Sequence, residues 1–181
     1  MSTADAPIET SSIVALNFTM PPLRVFIDTE FTSFENMQLI SIALVSENGE
    51  ETYFEVDFDD WRCSDFVRSN VIPLLGAYNN ALINDAYLPA KILEWLQIVR
   101  KNEQYILICH DDVVDWRILE RVLSGVPDWV KGENIYYSLS PLLLESFYEK
   151  HGLARHHALH DARANAYAYR EQTNGTNASP C

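Results

Sequence analysis

The chain has 181 residues, 48% of them hydrophobic and 22% charged, which bounds it to roughly one ordinary globular domain and excludes disorder as the default. A formal net charge of -13 excludes a protein that coats nucleic acid through a broad basic face. It does not exclude nucleotide chemistry, because bound divalent cations invert the local field of an acidic cleft.

Residues 1–22 are weakly patterned and closed by Pro21-Pro22. They read as a poorly ordered extension in which Ile13–Phe18 is able to add an edge strand. Leu23–Asp28 is a short apolar run, expected as a buried strand, and Met37–Ser46 is a second. Asn48-Gly49 signals a hairpin turn, and Glu51–Phe58 then alternates with period two. Asp65–Leu75 and Ala81–Asp85 carry no clear period, with Pro73 and Gly76 interrupting.

From Pro89 the run AKILEWLQIVRK places Ile92, Leu93, Trp95, Leu96 and Val99 on one helical face. Tyr105–Cys109 reads as a fourth strand, and Asp112 caps a helix that reaches Leu123 before Gly125. Ile135–Leu139 reads as a fifth strand, Pro141–Lys150 as a helix stopped by Gly152, and Ala158–Glu171 as the last helix. Residues 172–181 are small and polar and read as a flexible tail. The order βββ-α-β-α-β-α-α describes an α/β protein. Its mixed five-stranded sheet has three antiparallel strands followed by βα units, flanked by helices, which is a ribonuclease H-like arrangement.

Three segments carry chemistry. In Phe26-Ile27-Asp28-Thr29-Glu30-Phe31 two carboxylates stand two residues apart at a strand end, so both lie on one face. Crowding them is costly without a cation, although an acidic strand end also leads ordinarily into a loop. In Ile108-Cys109-His110-Asp111-Asp112-Val113-Val114-Asp115 a strand feeds a helix. Its acids serve either as helix caps or as groups facing a site. In Arg155-His156-His157-Ala158-Leu159-His160-Asp161 a histidine precedes an aspartate by five residues at a helix entry. There His157 and Asp161 also fit a surface pair, and His156 and His160 a zinc pair that lacks a third ligand.

Together FIDTEF, HDDVVDWRIL and HHALHDA resemble the three motifs of the DEDDh (DnaQ-like) 3′→5′ exonuclease superfamily, in order and spacing, across Leu23 to Arg170. The strand and hairpin that follow the first motif, LISIALVSENGEETYFEV, are most similar to a small bacterial and phage group of exoribonucleases that includes RNase AS. The resemblance implies that Asp28, Glu30, Asp115 and Asp161 hold two divalent cations, Mg²⁺ or Mn²⁺. It implies that His156 is the general base, since an imidazole titrates near neutrality. The implied reaction removes nucleoside 5′-monophosphates from the 3′ end of single-stranded RNA, with DNA as the alternative substrate and a silent nucleic-acid-binding module as the alternative role.

One position departs from the pattern: Asp111 stands where related second motifs often carry Asn. Thr29 is a candidate substrate contact by resemblance. Phe31 reads equally as a base-stacking ring or as core, and Trp116 as core. Arg155, Arg163 and Arg170 read as phosphate contacts or as a solvated helix face. A homodimer is a further expectation, with Trp61, Tyr136 and Tyr137 lining its interface or buried in the core. The spacing of Cys63, Cys109 and Cys181 fits neither a zinc site nor a disulfide framework. With no signal-like leader and no apolar run of membrane length, a reducing cytoplasmic location without membrane contact is expected.

Overall fold

The computed structural model describes residues 21–101 and 104–176, with side chains as far as residue 169. The extension expected over 1–20 lies outside the described residues, together with its edge strand, Cys181 and the end of the expected tail.

Five strands form one mixed sheet in the order β3-β2-β1-β4-β5. They are β1 (Leu23–Phe31), β2 (Leu39–Ser46), β3 (Glu51–Glu55), β4 (Ile106–His110) and β5 (Val130–Asn134). β1 pairs antiparallel with β2, and β2 with β3; β1 pairs parallel with β4, and β4 with β5. Five helices complete the fold: α1 (Asp65–Asn70), α2 (Leu88–Val99), α3 (Val113–Val122), α4 (Pro141–His151) and α5 (Ala158–Thr176). The expected mixed sheet with flanking helices is therefore present. The last helix extends five residues past Glu171.

The fifth strand lies elsewhere than expected. The apolar run at Ile135–Leu139 is a buried plug at Ile135 followed by a 3₁₀ turn, Tyr136–Ser138. The strand is the preceding Val130-Lys-Gly-Glu-Asn, paired residue for residue with Ile106–His110. At the sheet edge only part of such a strand is covered, so polar residues are tolerated and the apolar signal is weak. β3 also stops three residues short of Phe58, after Glu55. Tyr136 and Tyr137 are exposed, as is Trp61, so none of the three belongs to the core. Trp116 packs against the core between sheet and helices, as expected.

Alternation along β1 divides its side chains between two layers. Leu23, Val25 and Ile27 pack with Ile92 and Leu96 of α2 and Leu119 of α3. Phe26 faces the other way, into α5, against Ala158, Leu159, Ala162 and Ala166. The alanines at 158, 162 and 166 recur every four residues and are 0–2% exposed, so the helix backbone approaches β1 and β2 closely. That approach sets the height of Asp161 over the strand end. Replacing Ala162 with Leu forces a larger side chain into this layer and is expected to cost on the order of 1–3 kcal/mol. Urea denaturation with an unchanged midpoint would contradict the close contact.

Candidate active site

Asp28 and Glu30 extend the face of β1 that begins with Phe26, so both carboxylates emerge on the α5 side. β1 bulges immediately afterwards, between Glu30 and Phe31. Thr29, between the two acids, points into the opposite layer and meets α3. Its hydroxyl donates to Asp115 Oδ1 at 2.6 Å and its backbone N–H to the same oxygen at 3.1 Å. This answers the capping alternative for Asp115. The cap of α3 is Asp112, whose Oδ1 accepts from Val114 N–H at 2.9 Å. Asp115 is tied across the sheet to the first motif and is 4% exposed.

Asp161 rises from the first turn of α5. Its Oδ1 accepts from the Tyr148 hydroxyl at 2.6 Å and its Oδ2 from His156 N–H at 3.0 Å. His156 adopts a left-handed backbone, φ 64°, a conformation uncommon outside glycine. The hydrogen bond to Asp161 holds it there. Its ring packs edge-on against Phe66 of α1, centroids 4.8 Å apart.

Two donor groups result. In one, ligand atoms of Glu30, His156 and Asp161 all lie within 4.8 Å of one another; in the other, those of Asp28, Asp111 and Asp115 do. In the sequence Asp111 stands as a departure from the family pattern and as one of the acids able to face a site. It joins the second group, with Oδ1 accepting from Asn165 Nδ2 at 3.0 Å. None of the five acids takes part in a Lys or Arg ion pair among the described residues. Oxygen-rich, uncompensated and clustered donors of this kind fit hard divalent cations.

The crowding is visible in the acidities. Burial, then Asp115, Asp161, Glu30 and Asp111, push Asp28 well above the carboxylate range. Burial, with Asp161 and Asp115, lifts Glu30 to about 8. Burial lifts Asp115 to about 7, against the opposing hydrogen bond from Thr29. Asp161 is raised by burial and held back by Tyr148 and by His156 N–H. Without cations the cleft retains protons that ordinary carboxylates release.

The two neighbouring histidines, His157 and His160, are structural. His157 is 2% exposed and stacks on His160 at 4.1 Å and on Tyr53 at 4.7 Å. Burial, with His160 beside it, lowers its pKa to about 4, and its Nδ1 accepts from Leu159 N–H at the start of α5. His160 has both ring nitrogens engaged, by Ala154 O at 2.9 Å and Tyr78 Oη at 3.0 Å. A surface His157–Asp161 pair and a His156–His160 zinc pair are therefore both absent.

A cleft of about 630 Å³ opens beside Glu30 and His156, lined by Phe31, Phe34, Phe66 and Asp112. Phe31 is half-buried and meets Phe34 edge-on at 5.1 Å, while Phe34 and Phe66 are 72% and 52% exposed. Exposed rings in a cleft suit stacking on bases. Phe66 escaped the sequence reading because α1 lies in the stretch that carried no clear period. The arginines are engaged elsewhere. Arg155 pairs with Glu145 and lies over the Tyr148 ring, and Arg163 grips Glu51 and Tyr78. Neither hydrogen-bonds the acidic cluster among the described contacts. The side chain of Arg170 lies outside the described residues.

No protein-family profile and no curated protein matches the chain. Solved structures do. The nuclease domain of 3′hExo, described as a DEDDh family member bound to rAMP, aligns with TM-score 0.57 and 17% identity over 86% of this chain and 94% of that one. Cell-death related nuclease 4 aligns with TM-score 0.61 and 14% identity over 86% of this chain and 64% of that one. Exonuclease I of E. coli, in a zinc-bound complex with single-stranded DNA, aligns with TM-score 0.52 and 15% identity over 88% of this chain. This chain spans only 41% of that one. The sheet order, the flanking helices and these superpositions give one conclusion: this chain has the ribonuclease H-like fold of the DEDDh 3′-exonucleases.

Proposed function

We propose that this protein is a divalent-cation-dependent 3′→5′ exonuclease acting on single-stranded RNA. The observation that carries this reading is the convergence of Asp28, Glu30, Asp115, Asp161 and His156, from three separate stretches of chain, on one acidic cleft of that fold. Asp28 and Asp115, with Asp111, would hold one Mg²⁺ or Mn²⁺, and Glu30 and Asp161 would hold the other. Bound cations supply Lewis acidity toward the attacking water and the departing oxygen. His156 takes the proton from that water as its oxygen attacks the last phosphorus. The bond from phosphorus to the 3′ oxygen of the preceding nucleotide breaks, that oxygen takes a proton from solvent to become the new 3′ hydroxyl, and a nucleoside 5′-monophosphate leaves. Phe31, Phe34 and Phe66 offer ring faces and edges to the terminal base, and Thr29 serves by fixing Asp115.

RNA is the favoured substrate on the resemblance of the first motif and following hairpin to exoribonucleases. Among the structural neighbours one is bound to rAMP and another is described as recognising a histone mRNA stem-loop. Single-stranded RNA labelled at its 5′ end is expected to shorten from the 3′ end with Mg²⁺ or Mn²⁺ and to stay intact in EDTA. Shortening that persists in chelator contradicts the cation requirement, binding without shortening favours a silent module, and preferred shortening of a matched DNA oligomer reassigns the substrate. Oligomers with and without a 3′ adenylate run test the RNase AS-like preference in the same assay.

His156→Ala is expected to lower turnover about 100-fold or more, within the usual range for a general base, with little change in KM. Equal turnover of the two proteins at neutral pH refutes the base role.

Asp28→Asn is expected to abolish hydrolysis while stabilising the cation-free fold. Glu30 and Asp115 have folded-state pKa values of about 8 and about 7, above their ordinary values near ~4. Their stabilising contribution is full below those ordinary values and is lost as pH rises through 7 and 8. In EDTA the variant's Tm should therefore exceed that of the wild type by a margin that grows from pH 5 to pH 8.5. Mn²⁺ should raise the wild type more than the variant. A margin that stays flat or shrinks with pH contradicts the repulsion.

A further inference from the structure

Tyr148 takes no part in the reaction outlined above, yet its hydroxyl makes one of the two hydrogen bonds that hold Asp161. The residue sits on α4 and is 9% exposed. Its Oη donates to Asp161 Oδ1 at 2.6 Å, while the other oxygen, Oδ2, accepts from His156 N–H at 3.0 Å. Each carboxylate oxygen thus holds one donor and keeps a lone-pair direction for something else. An O–H to carboxylate bond of this length is charge-assisted and stronger than a neutral one.

The phenol is itself held on two sides. Phe147 meets its ring edge-on at 5.6 Å, and the Arg155 guanidinium lies 4.3 Å from its centroid. Arg155 is in turn paired with Glu145, on the same helix as Tyr148. The loop that carries His156 is therefore joined to Tyr148 twice. One connection runs through the Arg155 side chain over the ring. The other runs through Asp161, which links the hydroxyl to the backbone of His156.

We propose that Tyr148 is a positioning residue whose hydroxyl fixes the rotamer of Asp161, keeping that carboxylate beside Glu30 and His156 in the cation-binding arrangement. The inference rests on the two-cation reading and deepens it. Groups behind a metal ligand typically change metal affinity or activity 10- to 100-fold when removed, and the expected effect of losing this hydroxyl lies in that range.

The test compares Tyr148→Phe, which keeps the ring and loses the donor, with Tyr148→Leu, which loses both. Mn²⁺ binding to the full chain is followed by the electron paramagnetic resonance signal of free Mn²⁺; kcat and KM are measured on labelled RNA, and Tm in EDTA. The Phe variant should keep a Tm near wild type, bind one of two Mn²⁺ ions roughly 10-fold more weakly, and lose at least about 10-fold in kcat with KM within about 2-fold. A purely structural role predicts a different pattern: Phe matching the wild type in Mn²⁺ affinity and kcat, with only Leu impaired. That pattern overturns the proposal. A Phe variant that fails to fold assigns the hydroxyl to the core and also overturns it. Wild-type protein that neither binds Mn²⁺ nor shortens RNA defeats the two-cation reading and this inference together. Wild-type binding matched by the Phe variant defeats this inference alone.

Discussion

Like-charge repulsion among buried and half-buried carboxylates is the constraint around which the molecule is arranged. Asp28, Glu30, Asp111, Asp115 and Asp161 meet with no lysine or arginine paired to them among the described residues. The chain supplies partial relief in the form of donors. Thr29 gives two hydrogen bonds to Asp115, Tyr148 and His156 N–H each give one to Asp161, and Asn165 gives one to Asp111. These bonds orient the carboxylates without cancelling their charge, and burial, with the neighbouring carboxylates, still holds the pKa values of Asp28, Glu30 and Asp115 above the ordinary carboxylate range. A bound cation would complete the balance that the donors leave open.

The fold makes this arrangement rigid by using one strand twice. β1 is the centre of the sheet, paired on both sides, and the period-two alternation sends Asp28 and Glu30 toward α5 and Thr29 toward α3. Each helix then brings one acid to the same strand end: α3 brings Asp115, and α5 brings Asp161. Small residues under α5 and a hydrogen-bonded threonine against α3 set the two heights. The His156 loop is fixed last, through Asp161. The most strained backbone in the cleft, the left-handed His156, thus depends on the correct placement of an acid.

Legibility in the sequence followed the range of the interactions. The pair Asp28 and Glu30 was readable because two-residue spacing on a strand is local geometry. The helix entry after Asp112 was readable because capping is local too. What Asp115 does instead of capping was not, since its partner Thr29 lies 86 residues away. Tyr148 left no signal: within α4 it is an aromatic next to Phe147, and only the packing of α4 on α5 brings it to Asp161. The pairing of Arg163 with Glu51 was hidden for the same reason, the two lying 112 residues apart. β5 was displaced because an edge strand needs few apolar residues, while the apolar Ile135 just beyond it drew the reading forward. Asp111 was legible as a departure from the family pattern, but its place beside Asp28 became visible only in three dimensions.

The central claim is that two cations sit among these carboxylates. Crystals grown with Mn²⁺ and measured for anomalous scattering test it directly. The account predicts two peaks roughly 4 Å apart, one bounded by Glu30 and Asp161 and the other by Asp28 and Asp115. A cleft with no anomalous peak at saturating Mn²⁺, or peaks found only away from Asp28, would contradict it.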